Sequence, residues 1–172
     1  MAVVIDRSSP HVSFQIAQYI LDCVVASLET ECGSPPERSC VIVGAPAQDD
    51  CCDGQLTVGI LNFQGSNSFP IPATGFNPCG APITLINMDV SLYRCAPVLD
   101  DDGEAPPCEL LSKSAEQVYF EARVVWQGVQ CCLKTLADDY TTMIESVILS
   151  QDIQTPEGGC VGSVLHLTVG FP

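Results

Sequence analysis

Two stretches of the chain alternate apolar and polar residues with a period of two. In residues 55–62, Leu56, Val58 and Ile60 share one side, and in residues 83–98 Ile86, Met88, Val90 and Leu92 do the same. That period marks strands that bury one face of a sheet. Between them runs GSNSFPIPATGFNPCGAP, far too long for a tight turn. A compact domain seldom carries such a connection unless the loop does something, and reaching for a neighbour is a common reason.

The remaining elements follow from spacing. Ser9 and Pro10 suit an N-cap and a first helical position. Phe14, Ala17, Leu21, Val24 and Leu28 then recur at threes and fours, which predicts a helix ending near Thr30, ahead of Gly33, Pro35 and Pro36. Residues 39–44, with Cys40, Val41, Ile42 and Val43 between Pro36 and Pro46, predict a short buried strand. The clearest helix carries Val118, Ala122, Val125, Val129, Cys132 and Leu136, with Ser114 and Gln117 spaced for a capping box. Trp126 and Leu133 widen its stripe, leaving Arg123, Gln127, Gln130 and Lys134 for the outer face or a neighbouring subunit. Residues 143–153 and 161–169, joined by a turn containing PEGG, predict a closing hairpin with His166 on the sheet surface. APAQDDCCDG and VLDDDGEAPPCEL read as irregular connections. The order of elements lacks β-α-β alternation throughout. It predicts an α+β fold, two helices packed on one face of a mainly antiparallel sheet, in a single domain over residues 1–172.

Composition narrows the function. A formal charge of −15 argues against direct adhesion to nucleic acid or an anionic membrane. No apolar run reaches the roughly 20 residues needed to cross a bilayer. The start MAVVIDRSSP lacks the basic and apolar parts of a secretory signal, so synthesis and folding in the cytoplasm are expected. The chain has 11 cysteines but no C-x-x-C, and His11 and His166 lie near opposite ends, so neither a metal site nor a cofactor is expected. Most cysteines read as small buried hydrophobes. An odd count leaves at least one unpaired; Cys32 with Cys40 and Cys95 with Cys108 would close short loops, but spacing does not determine connectivity.

A nucleophile needs a base within hydrogen-bond reach, and neither histidine has sequence neighbours that suggest a triad. The serine-elbow, phosphate-loop and HExxH motifs are absent, so no catalytic residue and no enzymatic activity are expected. Asp49, Asp50 and Asp53 form one acidic loop; Asp100, Asp101, Asp102 and Glu104 form another, without the oxygen-ligand spacing of a calcium hand.

In the segments DDCCDGQLTVGI, LYRCAPV, QVYFEARVVWQGVQCCL and EGGCVGSVLHLTVGF the chain resembles the tail-terminator, or head-to-tail joining, proteins of phages with long non-contractile tails, especially those infecting actinobacteria. The resemblance implies a small α+β domain that assembles as a sixfold ring on the tail tube, stops tube growth and offers its other face to the head connector. It implies a virion neck protein with a channel through which DNA passes unbound, and no catalytic residues. On this reading Phe69, Ile71, Phe76 and Arg123 are expected at the subunit interface. Asp49, Asp50, Asp53, Asp100, Asp101, Asp102 and Glu104 are expected to face the lumen, where like charge discourages DNA from adhering. The rival readings are a connector stopper, an adaptor, a tail-tube subunit, or a cysteine-dependent enzyme, which a single unusually reactive thiol would reveal.

Overall fold

The apolar sides of the two alternating stretches meet across one sheet. The computed structural model describes residues 5, 11–33, 35–47, 51–74, 82–99, 102–139 and 144–172. In chain order its elements are α1 (Val12–Cys32), β1 (Arg38–Val43), β2 (Gln55–Ser68), β3 (Ile71–Pro72), β4 (Ile83–Cys95), α2 (Cys108–Asp139), β5 (Glu145–Glu157) and β6 (Cys160–Phe171). The sheet runs β1-β2-β4-β6-β5, with β3 attached to β2. β1 is parallel to β2, and every other pairing is antiparallel. The fold is therefore α+β, as the pattern predicts.

Register builds the core. β2 sets Leu56 opposite Leu92, Val58 opposite Val90 and Ile60 opposite Met88. β6 continues the rows, with Leu165 opposite Val90, Leu167 opposite Met88 and Val169 opposite Ile86. Both helices cover this face: α1 adds Ile16, Ile20, Val24 and Leu28, and α2 adds Val125, Val129, Leu133 and Leu136 to the same cluster. Burying each such side chain contributes about 1.5–3 kcal/mol.

Several boundaries differ from the sequence reading. The stripe of α1 centres on Ile16, Ile20 and Val24; Phe14, roughly 120° away at 100° per residue, is 50% exposed. Ser9 and Pro10 lie outside the described residues, and His11 holds the N-cap position without a side-chain cap bond. The helix stops at Gly33 (φ 71°), whose N–H returns to the Glu29 carbonyl. α2 starts at Cys108, directly after Pro106-Pro107, with the N–H groups of Leu110 and Leu111 on the Pro107 carbonyl. Ser114 is consequently interior and caps nothing, and the last part of the acidic, proline-punctuated segment is helical. β1 is not a buried strand. It lies at the sheet edge with a single strand neighbour, and Val43 is 90% exposed.

The long connection is also shorter than its composition suggests. β2 runs on to Ser68, paired with β4 as far as Ser66 opposite Ile83. A register shift between Ile60 and Asn62 breaks the alternation, so the pattern ends at Asn62 while the strand does not. After a cis Phe69-Pro70 peptide, β3 folds back on β2. Buried Ser66 stitches this tip: its hydroxyl donates to the Ile71 carbonyl (2.6 Å) and accepts from the Ser68 N–H (3.0 Å). At the other hairpin, Gly158 and Gly159 (φ 58° and 78°) supply the two positive-φ positions of a tight β5–β6 turn. Met143 lies outside the described residues.

Cysteine usage departs most. Cys23–Cys132 joins α1 to α2, while Cys51–Cys160 and Cys52–Cys95 tie the segment before β2 to β6 and β4. Six cysteines are thus cross-links rather than core hydrophobes, and neither short-loop pair forms. Cys95 and Cys160 are register partners in the sheet, a proximity invisible in sequence spacing. Cys40, Cys108 and Cys131 are free and exposed, Cys32 is free and half-buried, and Cys79 lies outside the described residues. With Tyr93 and Val164, Cys51 and Cys160 form a small second cluster on the sheet face away from the helices.

Gly162 offers a test of the register. A β-carbon there would run into the Leu92 carbonyl oxygen, so backbone closeness requires glycine. Gly162→Ala should destabilise the protein by about 1–3 kcal/mol. In urea unfolding this reads as a lowered midpoint at unchanged slope.

Candidate functional site

The residues expected at an interface are dispersed. Phe69 is half-buried against Gly170 of its own β6. Ile71, beyond it on β3, is 67% exposed. Arg123 is exposed on α2 in a shallow cleft with Lys113, Glu116, Tyr119 and Phe120. Phe76 lies outside the described residues. Ile71 belongs to one end of the sheet and Arg123 to the helix layer, so the two are not one patch.

Of the acidic residues expected in a lumen, Asp53, Asp102 and Glu104 are exposed, whereas Asp49, Asp50, Asp100 and Asp101 lie outside the described residues. The Asp53 carbonyl accepts the Glu37 N–H (3.1 Å), pinning the turn that enters β2. The start of β2 pairs with the end of β4, with Gln55 opposite Tyr93. The segments that carry Asp53 and Asp102 to Glu104 therefore leave the sheet at the same end.

Sequence reasoning missed a polar row on the sheet face opposite the helices. Asp89, His166 and Ser150 are register partners across β4, β6 and β5. His166 Nδ1 lies 2.5 Å from Asp89 Oδ1, and its Nε2 lies 3.2 Å from Asp152 Oδ2, which also accepts from the Ser150 hydroxyl (3.4 Å). In the next row Thr168 donates to Asn87 Oδ1 (2.6 Å) and Asn87 Nδ2 donates to Asn62 Oδ1 (2.7 Å). A carboxylate at Nδ1 is how a triad orients its histidine. Here Nε2, which would take a nucleophile's proton, faces a second carboxylate. The arrangement suits bridging: both contacts are hydrogen bonds when both ring nitrogens carry protons. The alternating pattern places Asp89 and His166 on polar sides, but only the strand register brings them together.

A second ionic cluster closes the helix side. Arg94 Nε meets Glu121 Oε2 at 3.1 Å with both side chains largely buried, and Gln117 donates to the other carboxylate oxygen at 3.2 Å. The Arg94 guanidinium lies against Gly54 (φ 87°), where a β-carbon would collide with it. Nearby, the Cys32 thiol at the end of α1 is pushed above its ordinary range, chiefly by burial and then by the Glu121 charge, with Arg94 opposing. One ion pair thus joins the end of β4 to α2 beside the end of α1 and the start of β2.

An apolar recess of about 580 Å³ lies between the first half of α2 and the β5–β6 hairpin. Its walls include Leu111, Ala115, Val118, Tyr119, Ile153 and Val161. Its existence depends on α2 beginning as early as Cys108, which is why the sequence reading did not reveal it. Among the described residues no three histidine, cysteine or carboxylate groups converge as metal ligands, and no helix is long and apolar enough to cross a membrane. The sequence matches no protein-family model and no curated protein.

Arg94→Met should cost about 3–5 kcal/mol by stranding a buried carboxylate, and adding Glu121→Leu should recover most of the loss. Denaturant midpoints of the two single variants and the double variant check this. Cys32 should react with a thiol reagent at pH 8 more slowly than Cys40, Cys108 or Cys131, as mass spectrometry of the labelled peptides will show. The folded state holds the Cys32 proton more tightly than the unfolded chain does. Its contribution to stability is therefore complete below the ordinary thiol range and declines as pH rises through the elevated value.

Proposed function

We propose that the chain is a structural virion protein of a phage with a long non-contractile tail. On this reading copies of it, six in number, close a ring at the head-proximal end of the tail. The ring ends the tube, meets the head connector on its other face and leaves a channel for DNA. The observation that carries the reading is the architecture: two helices on one face of a mainly antiparallel sheet, as the resemblance in the β2, β4, α2 and β6 segments implies. Such a rigid layer sets the angle between neighbours in a closed ring.

Two further features support it. The acidic segments leave one end of the sheet, and six copies at −15 each would surround a bore that DNA crosses without sticking. Screening over ~8 Å at physiological salt restricts that effect to charges close to the DNA. Three disulfides suit a protein that is made in the cytoplasm but works outside the cell, where they form and persist. The partners on this reading are other copies, the tail-tube protein and the head connector.

Electron microscopy of the purified protein, alone and with tail tubes, should show six-membered rings with an acidic bore seated at the upper end of the tube. A protein that stays monomeric in both preparations refutes the proposal. Replacing Asp53 and Asp102 by Asn and Glu104 by Gln should leave rings intact while slowing DNA ejection from reconstituted particles; unchanged ejection removes the lumenal role of these residues.

A further inference from the structure

A strongly acidic chain meets its own copies most readily where charge is absent, because matching acidic surfaces repel. Two uncharged surfaces stand out among the described residues. Residues 55–88 contain no Asp, Glu, Lys, Arg or His, although 16% of the whole chain is charged. Within this stretch the far half of β2 and β3 form an arm that shows Leu61, Phe63 and Ile71 to solvent. Phe63 is the register partner of fully buried Ile86, yet it is 58% exposed. The second surface is the recess beside α2, whose walls also carry no charged residue. It is flanked by exposed Leu110, Val98 and Leu99.

The two surfaces lie at opposite ends of one strand. The arm joins β4 at Ile83, and the recess includes Pro97, just past its end at Cys95, and Val161, the partner of Arg94. At ~3.3 Å per residue, the tip of the arm is about 40 Å and Phe63, opposite Ile86, about 30 Å from the recess end of β4. Two different, non-overlapping patches suit a head-to-tail contact, which closes as a ring when the rotation between copies allows and otherwise runs on as a filament.

We infer that the arm of one copy, through Ile71 with Leu61 and Phe63, seats in the recess between α2 and the β5–β6 hairpin of the next copy. The inference rests on the ring reading and names the contact that would hold it. The arm is uncharged and exposes three large apolar side chains, the recess is walled mainly by apolar side chains, and neither carries a charged residue. The exposed apolar groups of the arm thereby leave water without bringing carboxylates together.

The test is sedimentation over a concentration series, with electron microscopy of the same samples and of samples mixed with tail tubes. Ile71→Asp and Ala115→Asp, one on each surface, should each raise the concentration for half-assembly roughly tenfold or more. Thr30→Asp adds the same charge at an exposed position on α1, outside both surfaces, and should change it little. Ile71→Lys combined with Ala115→Asp should regain most of the lost assembly. Matching circular dichroism and thermal midpoints of the unassembled chains separate these effects from misfolding. Rings that form at wild-type concentrations in both single variants would overturn the arm-in-recess contact while leaving the ring reading intact. A control variant as damaging as the other two would overturn it too, as would a paired variant no better than Ala115→Asp alone. Rings that survive but no longer attach to tubes would assign these surfaces to an axial partner and equally overturn it. A wild-type chain that forms no ring, alone or on tubes, would sink the ring reading itself.

Discussion

Everything in this molecule depends on the register of β4 between β2 and β6. Side chains alternate along a strand, so a slip of one residue would turn Ile86, Met88, Val90 and Leu92 away from both helices and present Asn87, Asp89 and Ser91 to them. The same register sets Cys95 beside Cys160, Asp89 beside His166 and Thr168 beside Asn87. One alignment thus specifies the apolar layer, the covalent links and the polar face together. The buried Arg94–Glu121 pair extends it to the helix layer, since it forms only when the end of β4 and the middle of α2 are in place.

Much of this layer could be read from the chain. The period-two residues of β2, β4 and β6 and the period-3.6 residues of α2 are all buried, because each element presents that face to a common core. The errors have identifiable physical origins. The shift near Leu61 inverted the alternation and hid the second half of β2. Two prolines ahead of Cys108 looked like loop punctuation, although proline suits a helix entrance as well. The apolar run in β1 looked buried because edge and central strands share β-branched residues, and only topology distinguishes them. The cysteine links, the histidine row and the recess all arise from residues far apart in the chain, so no local pattern could disclose them.

The functional reading turns on a balance between charge and shape. A chain this acidic stays soluble and apart from its copies unless association uses neutral ground. The exposed carboxylates sit on segments leaving one end of the sheet, beside the uncharged recess, and the uncharged arm lies at the other end. On the proposed reading the carboxylates govern passage of the genome and the uncharged surfaces govern assembly. These tasks can then vary independently, since no residue serves both.

The adjacent cysteines Cys51 and Cys52 reach different strands, one bonded to β6 and the other to β4, at the end where those strands meet. Together they form a covalent clasp over one end of the sheet. No bond of that kind spans the described residues of the arm at the opposite end. Under mechanical load, which on the proposed reading a passing genome would supply, β4 and β6 cannot peel apart from the clasped end. Separation of these two strands has to begin at the arm end, so this pair opens in one direction only.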